Sequence, residues 1–491
     1  MGRYEDLILN KINMQSQGIQ NENSTTKLQN ALLYSIHKNQ NSVAIKIGDS
    51  SISYAEIWKA VQNQYAIYEA EKITSIALYV GNSVDFCIQL LTAFLFLDVV
   101  YIFSPTMEES YVLDVCKDNN IDLIIKCNGN IHISNTNNQG VMEDVKVVLF
   151  TSGTIHNPKG VMLSSNNLLS NAFAAIDCMK YNDKDTILVS KPLYHSYGLT
   201  IEFLAGFLAG ATLYMYQGLF SVKKIQNIIE EQRITVWCTI PTLVALYVEN
   251  AIRRENYLRI VAVGGARSTK KQIEKIVAFF KPVLVVQLYG LSEAGPLVTY
   301  TPHGLKSEQS NLIGVPVKGV ELEIRDSNNK LILEPEMPGE LVVKSEGVMK
   351  GYLKNETLTN KAIKHGKLYT GDIVYFDKNK LFYFLDRKDT MISRGGINYF
   401  CSEIEDVIHN LAAVDEVVVL GIEDEIHSQI AVAFIKGNER KSKKDIFFYC
   451  KKSNVLPPDE VVYVDEFPVN TSGKIDILKL KSIYMESVEK R

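Results

Sequence analysis

The amino-acid sequence predicts an α/β protein: two stacked, doubly wound parallel sheets, then a small antiparallel barrel or sheet, then a separate α+β unit. Three observations carry this prediction. Apolar runs rich in Val and Ile alternate with segments of helical period from residue 43 to residue 288. These runs outnumber the strands of one compact sheet. After Pro302, short strand patterns between Gly, Pro and Asn turns replace them.

The elements of the first part follow in order along the chain. Apolar runs predict strands at 75–80, 99–103, 121–126, 146–150, 186–190, 211–216, 235–240, 258–263 and 283–288. Apolar residues at helical spacing predict helices at 84–97, 222–231 and 270–280. Because both faces of such strands are apolar, we expect helices to cover both faces of each sheet.

The later elements are shorter and bounded by turns. We expect strands at 321–325, 331–333 and 340–344, and then a terminal unit with helices at 402–410 and 445–451 and strands at 416–420 and 430–435. The basic run at 440–444 is expected to be a solvated loop, with a phosphate-contacting patch as the alternative. The first 25 residues, rich in Asn, Gln and Ser, are expected to form a loosely held arm.

Composition excludes several classes of protein. The 491 residues are 46% hydrophobic and 22% charged, which argues against wholesale disorder, and a net charge of −4 gives no support for nucleic-acid binding. The seven cysteines show no CxxC spacing, so neither a disulfide framework nor a zinc site is indicated. No signal peptide or uninterrupted apolar span is evident, and we expect a soluble, cytoplasmic protein.

The strongest functional signal is the loop Leu-Phe-Thr-Ser-Gly-Thr-Ile-His-Asn-Pro-Lys-Gly-Val at 149–161. It follows a predicted strand and combines hydroxyls, glycines and a lysine, the groups that cradle phosphates. It is not a Walker loop, because Gly160 and Val161 follow Lys159 where that motif needs Ser or Thr. On this loop alone, an ordinary hydroxyl-rich turn is an equal alternative.

Four other stretches place reactive groups at predicted turns or strand ends. They are Gln-Leu-Tyr-Gly-Leu-Ser-Glu at 287–293, Tyr-Thr-Gly-Asp at 369–372, Asp-Arg-Lys-Asp-Thr-Met-Ile-Ser-Arg-Gly-Gly at 386–396 and Thr-Ser-Gly-Lys-Ile-Asp at 471–476. In this order and spacing, the five stretches resemble the adenylate-forming (AMP-binding) superfamily. That family includes acyl-CoA synthetases, luciferases and the adenylation domains of non-ribosomal peptide synthetases. The resemblance covers residues 30–480.

The resemblance implies a domain organisation. An AMP-binding N-terminal domain would span 26–385 after the polar arm at 1–25, a hinge would lie at 386–389, and a mobile C-terminal lid domain would span 390–491. In the family the lid rotates about the hinge after adenylation. Asp389 matches the hinge residue; as a lone polar linker residue it would carry no function.

The resemblance also implies which residues bind ATP and Mg²⁺. The phosphates would be held by Thr151, Ser152, Gly153, Thr154 and Lys159. The adenine would lie against Gly264, Gly265, Ala266, Tyr289 and Gly290. Ser292 would contact the α-phosphate, Glu293 would hold Mg²⁺, and Asp372 and Arg387 would bind the ribose. Without the motif, Glu293 would be an ordinary surface carboxylate and the glycines a simple strand-to-helix turn.

Lys474 is implied to be catalytic, together with His195 and Glu293. A carboxylate that attacks ATP brings two anions together, so the site must neutralise charge on the α-phosphate and on the departing pyrophosphate. A mobile ammonium does this, although an isolated Gly-Lys turn would only expose a lysine. After rotation of the lid, Gly395 and Gly396 would line a tunnel for the thiol.

The stretch around His195 indicates the class of acid. Amino-acid-activating relatives carry an Asp at this position to pair with the substrate ammonium, and an imidazole cannot replace that anion. The stretch resembles that of fatty-acyl and aryl-acid activators, although a lone histidine is more often structural. The candidate pocket residues are Tyr197, Thr239, Pro241 and Arg267.

The sequence therefore predicts an AMP-forming acid–thiol ligase that uses ATP, Mg²⁺ and coenzyme A. Loading of a carrier-protein phosphopantetheine stays open as the acceptor. It fits departures from the family pattern at Ile155, His156, Ile397 and Ile477. His156 stands where relatives have Gly and restricts the loop backbone. A luciferase-like oxygenase and a degenerate nucleotide-binding module are the remaining alternatives.

Overall fold

The computed structural model describes residues 24–133, 144–151, 158–218, 220–252, 257–268, 270–302, 311–388, 390–394, 397–411, 414–424, 428–437, 442–453, 455–469 and 475–489. The α-helices are α1 (Ser24–Lys38), α2 (Tyr54–Ala70), α3 (Val84–Phe96), α4 (Glu109–Asp118), α5 (Ser165–Met179), α6 (Ala205–Ala209), α7 (Val222–Glu231), α8 (Pro241–Asn250), α9 (Lys270–Phe280), α10 (Glu356–Ala362), α11 (Cys401–His409), α12 (Lys443–Lys452) and α13 (Ile477–Glu489). A π-helix spans Tyr197–Leu204, and a 3₁₀ turn spans Ser292–Ala294.

The strands are β1 (Val43–Ile47), β2 (Ser50–Ser53), β3 (Ser75–Tyr79), β4 (Val99–Ile102), β5 (Leu123–Lys126), β6 (Ile131–His132), β7 (Val147–Thr151), β8 (Lys159–Leu163), β9 (Thr186–Val189), β10 (Thr212–Met215), β11 (Val236–Thr239), β12 (Ile260–Gly264), β13 (Leu284–Gly290), β14 (Leu297–Tyr300), β15 (Leu312–Pro316), β16 (Val320–Arg325), β17 (Gly339–Ser345), β18 (Gly351–Tyr352), β19 (Ile363–Lys364), β20 (Lys367–Phe376), β21 (Phe382–Arg387), β22 (Ile392–Arg394), β23 (Ile397–Tyr399), β24 (Glu416–Asp424), β25 (Ser428–Lys436) and β26 (Glu460–Tyr463).

Two large sheets form the body of the protein. The first has the order β18-β8-β7-β4-β3-β5-β6, and its central strands β7, β4, β3 and β5 are parallel. In the described ranges the second has fourteen strands, with a parallel run β13-β12-β11-β9-β10-β1. The predicted pair of stacked, doubly wound sheets is confirmed.

Helices pack between the two sheets and form the main core. Leu32 of α1, Phe94 of α3 and Leu168 of α5 belong to one buried cluster with Ile102 of the first sheet and Ile187 of the second. Separate clusters cover the outer faces of the two sheets. Apolar runs buried on both faces therefore explain why these strands lack alternating polar residues.

Local signals fix where several helices begin. Ser53 and Glu56 form a capping box at the start of α2, and Ser164 and Asn167 form one at the start of α5. Each side chain accepts a hydrogen bond from a backbone N–H that the first helical turn leaves without a partner.

The antiparallel strands form a sheet, one of the two arrangements predicted for this part of the chain. Strands β14 to β17, β20 and β21 continue the second sheet through β13, and the pairings among the described residues do not close them into a ring. The predicted strand at 331–333 is wrong. Only Leu331 makes a single bridge, to Arg325, because the turn at 326–330 leaves too short a return segment.

The C-terminal unit contains strands β24, β25 and β26 in one sheet, with α11, α12 and α13 and the hairpin β22–β23. Ile404, Ile408 and Ile446 lie in its own core. The predicted solvated loop at 440–444 is wrong for Lys443 and Lys444, which form the first turn of α12, because Ser442 caps this helix. Residues 1–23 of the predicted arm lie outside the described residues. No helix in the described ranges has the length and apolarity to cross a bilayer.

Candidate active site

The candidate site lies where parallel strands of the body end. Strands β11, β12 and β13 end at Thr239, Gly264 and Gly290, and β7 of the first sheet ends at Thr151. The carboxyl ends of parallel strands share one edge, and ligands of open α/β sheets bind in the crevice outside that edge.

The turn after β12 brings the backbone of two neighbouring strands unusually close. A Cβ atom on Gly264 would lie 2.6 Å from the carbonyl oxygen of Leu288, and Gly265 has a φ of +89°. A Cβ on Gly290 would lie 1.9 Å from the carbonyl oxygen of Pro296. Only glycine fits at Gly264 and Gly290, so this edge offers bare backbone to a flat ligand.

The side chains of Tyr289, Asp372 and Arg387 contact one another near this turn. The Tyr289 hydroxyl donates to Oδ2 of Asp372 at 2.5 Å, and a guanidinium nitrogen of Arg387 lies 3.0 Å from Oδ1. Asp372 and Arg387 are cross-strand partners on β20 and β21, and Asp372 is buried. Burial, and secondly the Asp372 charge, raise the pKa of Tyr289 well above its ordinary value. Tyr289 therefore contacts the predicted ribose carboxylate directly.

Tyr352 contacts Lys159 and Glu293, two residues that are predicted to act on the ATP phosphates and their metal ion. Its hydroxyl donates to Oε1 of Glu293 at 2.8 Å, and the ammonium of Lys159 lies 5.5 Å from the centre of its ring. Burial, and secondly the Glu293 charge, raise the pKa of Tyr352. A cation and a carboxylate from distant segments thus meet on one aromatic ring.

The donor set at Glu293 suits a magnesium ion held with phosphates. No three His, Cys, Asp or Glu side chains gather into a metal-binding group among the residues that the structure describes. Mg²⁺ in phosphate-transfer sites commonly takes one or two carboxylates and completes its coordination with phosphate and water. Glu293 is the carboxylate that would hold it here.

Several predicted residues lie outside the described ranges. These are Ser152, Gly153, Thr154, Ile155, His156, Asp389, Gly395, Gly396 and Lys474. The backbone on either side of some of them is described. Thr151 pairs with Lys159 across strands β7 and β8, and the hairpin β22–β23 flanks residues 395–396.

A pair of serines joins the predicted α-phosphate and acid segments. Ser196 and Ser292 share a hydrogen bond of 2.8 Å between their hydroxyls. His195 precedes Ser196, is partly exposed, and has its ring 4.7 Å from that of Tyr194. His195 is thus the neighbour in sequence of a serine that bonds to Ser292.

The candidate acid pocket contains a cation that the sequence analysis did not single out. The ammonium of Lys191 lies 3.3 Å from the ring centre of Tyr197 and donates to the carbonyl oxygen of Thr239 at 3.2 Å. The Lys191 backbone N–H donates to Oε2 of the fully buried Glu202. Burial raises the pKa of Glu202 to about 8, and Lys191 opposes this rise.

The local fold explains this arrangement. Tyr197 and Glu202 lie on the π-helix, an uncommon element often found at functional sites. Thr239 ends β11, and Pro241 begins α8 after the single residue Ile240. A Cβ on Gly264 would lie 3.3 Å from the Tyr197 ring, so this ring borders the nucleotide turn.

Arg267, a predicted residue of the acid pocket, contacts the C-terminal unit. Its guanidinium lies 3.0 Å from Glu405 and 2.7 Å from Asp406, both on α11. No local motif in the sequence marks this ion pair or the contacts of Tyr352 with Lys159 and Glu293, because these partners are distant along the chain. The contacts of Lys191 with Tyr197 and Glu202 are nearer in sequence, but no motif marks them either.

Comparison with known families and proteins gives consistent matches. The family model of the AMP-binding enzyme matches residues 34–353, and that of the AMP-binding enzyme C-terminal domain matches residues 403–474. The chain is 30% identical over 348 residues to 2-succinylbenzoate–CoA ligase of Geobacillus sp., covering 70% of this chain and 69% of that protein. It is 31% identical over 350 residues to 4-coumarate–CoA ligase 5 of Oryza sativa subsp. japonica, covering 68% and 65%.

Solved structures share the fold over nearly the whole chain. ATP-bound MatB from Rhodopseudomonas palustris has a TM-score of 0.82 at 20% identity, covering 93% of this chain and 99% of that one. O-succinylbenzoate coenzyme A synthetase (MenE) from Bacillus subtilis, in complex with ATP and magnesium ion, has a TM-score of 0.79 at 23% identity, covering 92% and 99%.

Proposed function

Because the chain belongs to the family of AMP-binding enzymes, we propose that it activates an aryl or fatty acid with ATP and passes the acyl group to coenzyme A. The enzyme class is that of its relatives, an AMP-forming acid–thiol ligase. The products of the two steps are an acyl-adenylate with pyrophosphate, and then an acyl thioester with AMP.

One observation carries this proposal. Lys159 and Glu293 both contact Tyr352, and the charge of Arg387, the ion-pair partner of Asp372, opposes the rise in the pKa of Tyr352. A nucleotide triphosphate needs this combination: a carboxylate for its ribose hydroxyls, a cation for its phosphates, and an oxygen ligand for its metal.

The first step forms a bond between a carboxylate oxygen of the acid and the α-phosphorus, and breaks the bond from that phosphorus to pyrophosphate. Lys159, and Lys474 from the C-terminal unit, reduce the repulsion between the two anions. Asp372 and Arg387 hold the ribose, and Ser292 orients the α-phosphate. Mg²⁺ at Glu293 supplies positive charge for the phosphates when bound.

The second step replaces AMP by a thiol. The sulfur attacks the acyl carbon, the bond from that carbon to the AMP oxygen breaks, and the thiol proton passes to water. We assign Gly395 and Gly396 to the thiol path, and Asp389 to the hinge between the domains at 26–385 and 390–491. Coenzyme A is the proposed acceptor, and a carrier-protein phosphopantetheine is the alternative.

The acid side supports an aryl acid. His195 stands where an α-amino acid would need an anion, and the Tyr197 ring offers an aromatic wall carrying the Lys191 charge. The named relatives act on 2-succinylbenzoate and 4-coumarate, both aryl acids. We therefore rank these two acids ahead of fatty acids, and propose a cytoplasmic location for the enzyme.

A panel of acids tests the proposal. Pyrophosphate release is measured with 2-succinylbenzoate, 4-coumarate, a fatty acid and an α-amino acid, each with coenzyme A, with a phosphopantetheine-bearing carrier protein, and with neither. We expect release with an aryl or fatty acid and acyl transfer to coenzyme A. Release only with the amino acid contradicts the acid class, and transfer only to the carrier contradicts the acceptor. ATP binding without release by any acid indicates a degenerate module.

A further inference from the structure

Arg267 joins the nucleotide turn to the C-terminal unit. It directly follows Ala266 of that turn, and it contacts Glu405 at 3.0 Å and Asp406 at 2.7 Å on α11. Its guanidinium also lies 3.5 Å from the carbonyl oxygen of Ser402. We call the contacts of Arg267 with Glu405 and Asp406 the α11 latch.

Glu405 binds in two directions at once. One carboxylate oxygen contacts Arg267, and the other accepts a hydrogen bond from the Val419 N–H of β24 at 2.9 Å. Glu405 therefore ties α11 to its own sheet and to the nucleotide turn. The Glu405 and Arg267 side chains are only 22% and 23% exposed. Removal of one partner would leave a poorly solvated charge, so this pair is worth more than a surface ion pair.

A second tie holds the first turn of α11. Asp386, the first residue of the predicted hinge, accepts a hydrogen bond from the Ser402 N–H at 3.3 Å. Its other oxygen accepts from the Thr390 hydroxyl at 2.7 Å, just after the hinge. A rotation of the C-terminal unit about Asp389 would break the contacts that cross from the body to α11.

The latch selects one orientation of the C-terminal unit. The hairpin β22–β23, which flanks Gly395 and Gly396, runs into α11 with a single residue between them. When Arg267 contacts Glu405 and Asp406, the segment that connects the proposed thiol path to α11 is therefore held beside the nucleotide turn. Resting on the proposed function, we propose that Arg267 is a positioning residue. Through Glu405 and Asp406 it favours the orientation for thiol transfer over the orientation for adenylation.

The test separates the two half-reactions. The variants are Arg267→Met, Glu405→Gln and the double variant. Arg325→Met is the control, because Arg325 forms an ion pair of similar exposure with Glu323 away from α11. Acid-dependent pyrophosphate exchange reports adenylation, and a single turnover of preformed acyl-adenylate with coenzyme A reports thiol transfer. We expect thiol transfer to fall on the order of ten-fold in each single variant, with exchange changed less than about two-fold.

The pattern across variants distinguishes the latch from other roles. If the latch acts as a pair, the double variant loses no more than either single variant. Equal loss of both half-reactions, or unchanged thiol transfer, overturns the inference. A raised KM for the acid in the exchange assay would indicate that Arg267 belongs to the acid pocket instead. Thermal unfolding of every variant identifies a loss of thiol transfer that is due to misfolding. Arg267→Lys retains the positive charge, so we expect thiol transfer to recover in this variant if Arg267 acts through the latch. If the wild type shows no exchange with any acid, the proposed function fails instead.

Discussion

The nucleotide end and the acid end of the site hold a buried carboxyl group differently. At the nucleotide end, Asp372 accepts a hydrogen bond from the Tyr289 hydroxyl and forms an ion pair with Arg387. At the acid end, Glu202 accepts a hydrogen bond from the Lys191 backbone N–H, and burial raises the pKa of Glu202 to about 8. A neighbouring cation favours the charged form of a carboxyl group, and burial favours the neutral form. The nucleotide end thus pairs its buried carboxylate with a guanidinium, whereas burial at the acid end favours a neutral carboxyl group.

The largest effect is expected from Lys474, the cation that we assign to the reacting phosphate from the C-terminal unit. Lys474→Ala should reduce acid-dependent pyrophosphate exchange on the order of 10²–10³-fold, because one preorganised charge at the reacting phosphate is lost. ATP titration should be nearly unchanged. Unaltered exchange would remove Lys474 from the first step.

The next largest effect tests the role of Asp372 at the nucleotide end. Asp372→Ala should weaken ATP binding on the order of 10- to 100-fold, because charged hydrogen bonds to the ribose are lost. The KM for the acid should change little. Asp377→Asn, at the turn joining the same two strands, is the control. Equal weakening in the control would show a general disturbance of this hairpin.

A smaller effect is expected at the acid end. Lys191→Met should raise the KM for the acid roughly three- to ten-fold, because the ammonium no longer holds the Tyr197 ring and the Thr239 carbonyl. ATP binding should stay as in the wild type, as it should for the exposed control Lys223→Met. A change in ATP affinity, without a change in the KM for the acid, would contradict the assignment of Lys191 to the acid end.

The last expected effect is on stability and its pH dependence rather than on catalysis. Burial raises the pKa of Glu202 to about 8, so the folded protein retains a proton there that the unfolded chain releases above its ordinary value near 4.5. The wild type should therefore lose stability relative to Glu202→Gln as pH rises between these values. The slope should be below about 1.4 kcal/mol per pH unit. Denaturant unfolding of both proteins at several pH values measures it, and parallel curves would contradict the raised pKa.

Much of the fold was predictable because strands that are buried on both faces appear in the sequence as short apolar runs. The strands at Ser75–Tyr79 and Thr186–Val189 and the helix at Val222–Glu231 match their apolar patterns within a few residues. The strand predicted at 331–333 failed, since a short apolar run does not reveal whether a pairing partner is available.

The site was predictable where a motif is local, and hidden where two distant segments meet. The adjacency of Asp372 and Arg387 follows from strand pairing within one motif-bearing hairpin. The bond from Tyr352 to Glu293, and the ion pair of Arg267 with Glu405, join segments without any shared pattern. Such contacts depend on tertiary packing, which the sequence of one chain does not display.

The central claim is that the acid itself attacks the α-phosphate of ATP. A direct measurement uses a carboxylic acid whose two oxygens carry the heavy isotope, with unlabelled ATP and coenzyme A, and mass spectrometry of the products. This account predicts one labelled oxygen in AMP and none in pyrophosphate, because the acid oxygen stays on the phosphorus when the thiol displaces AMP. Unlabelled AMP, or label in inorganic phosphate, would contradict it.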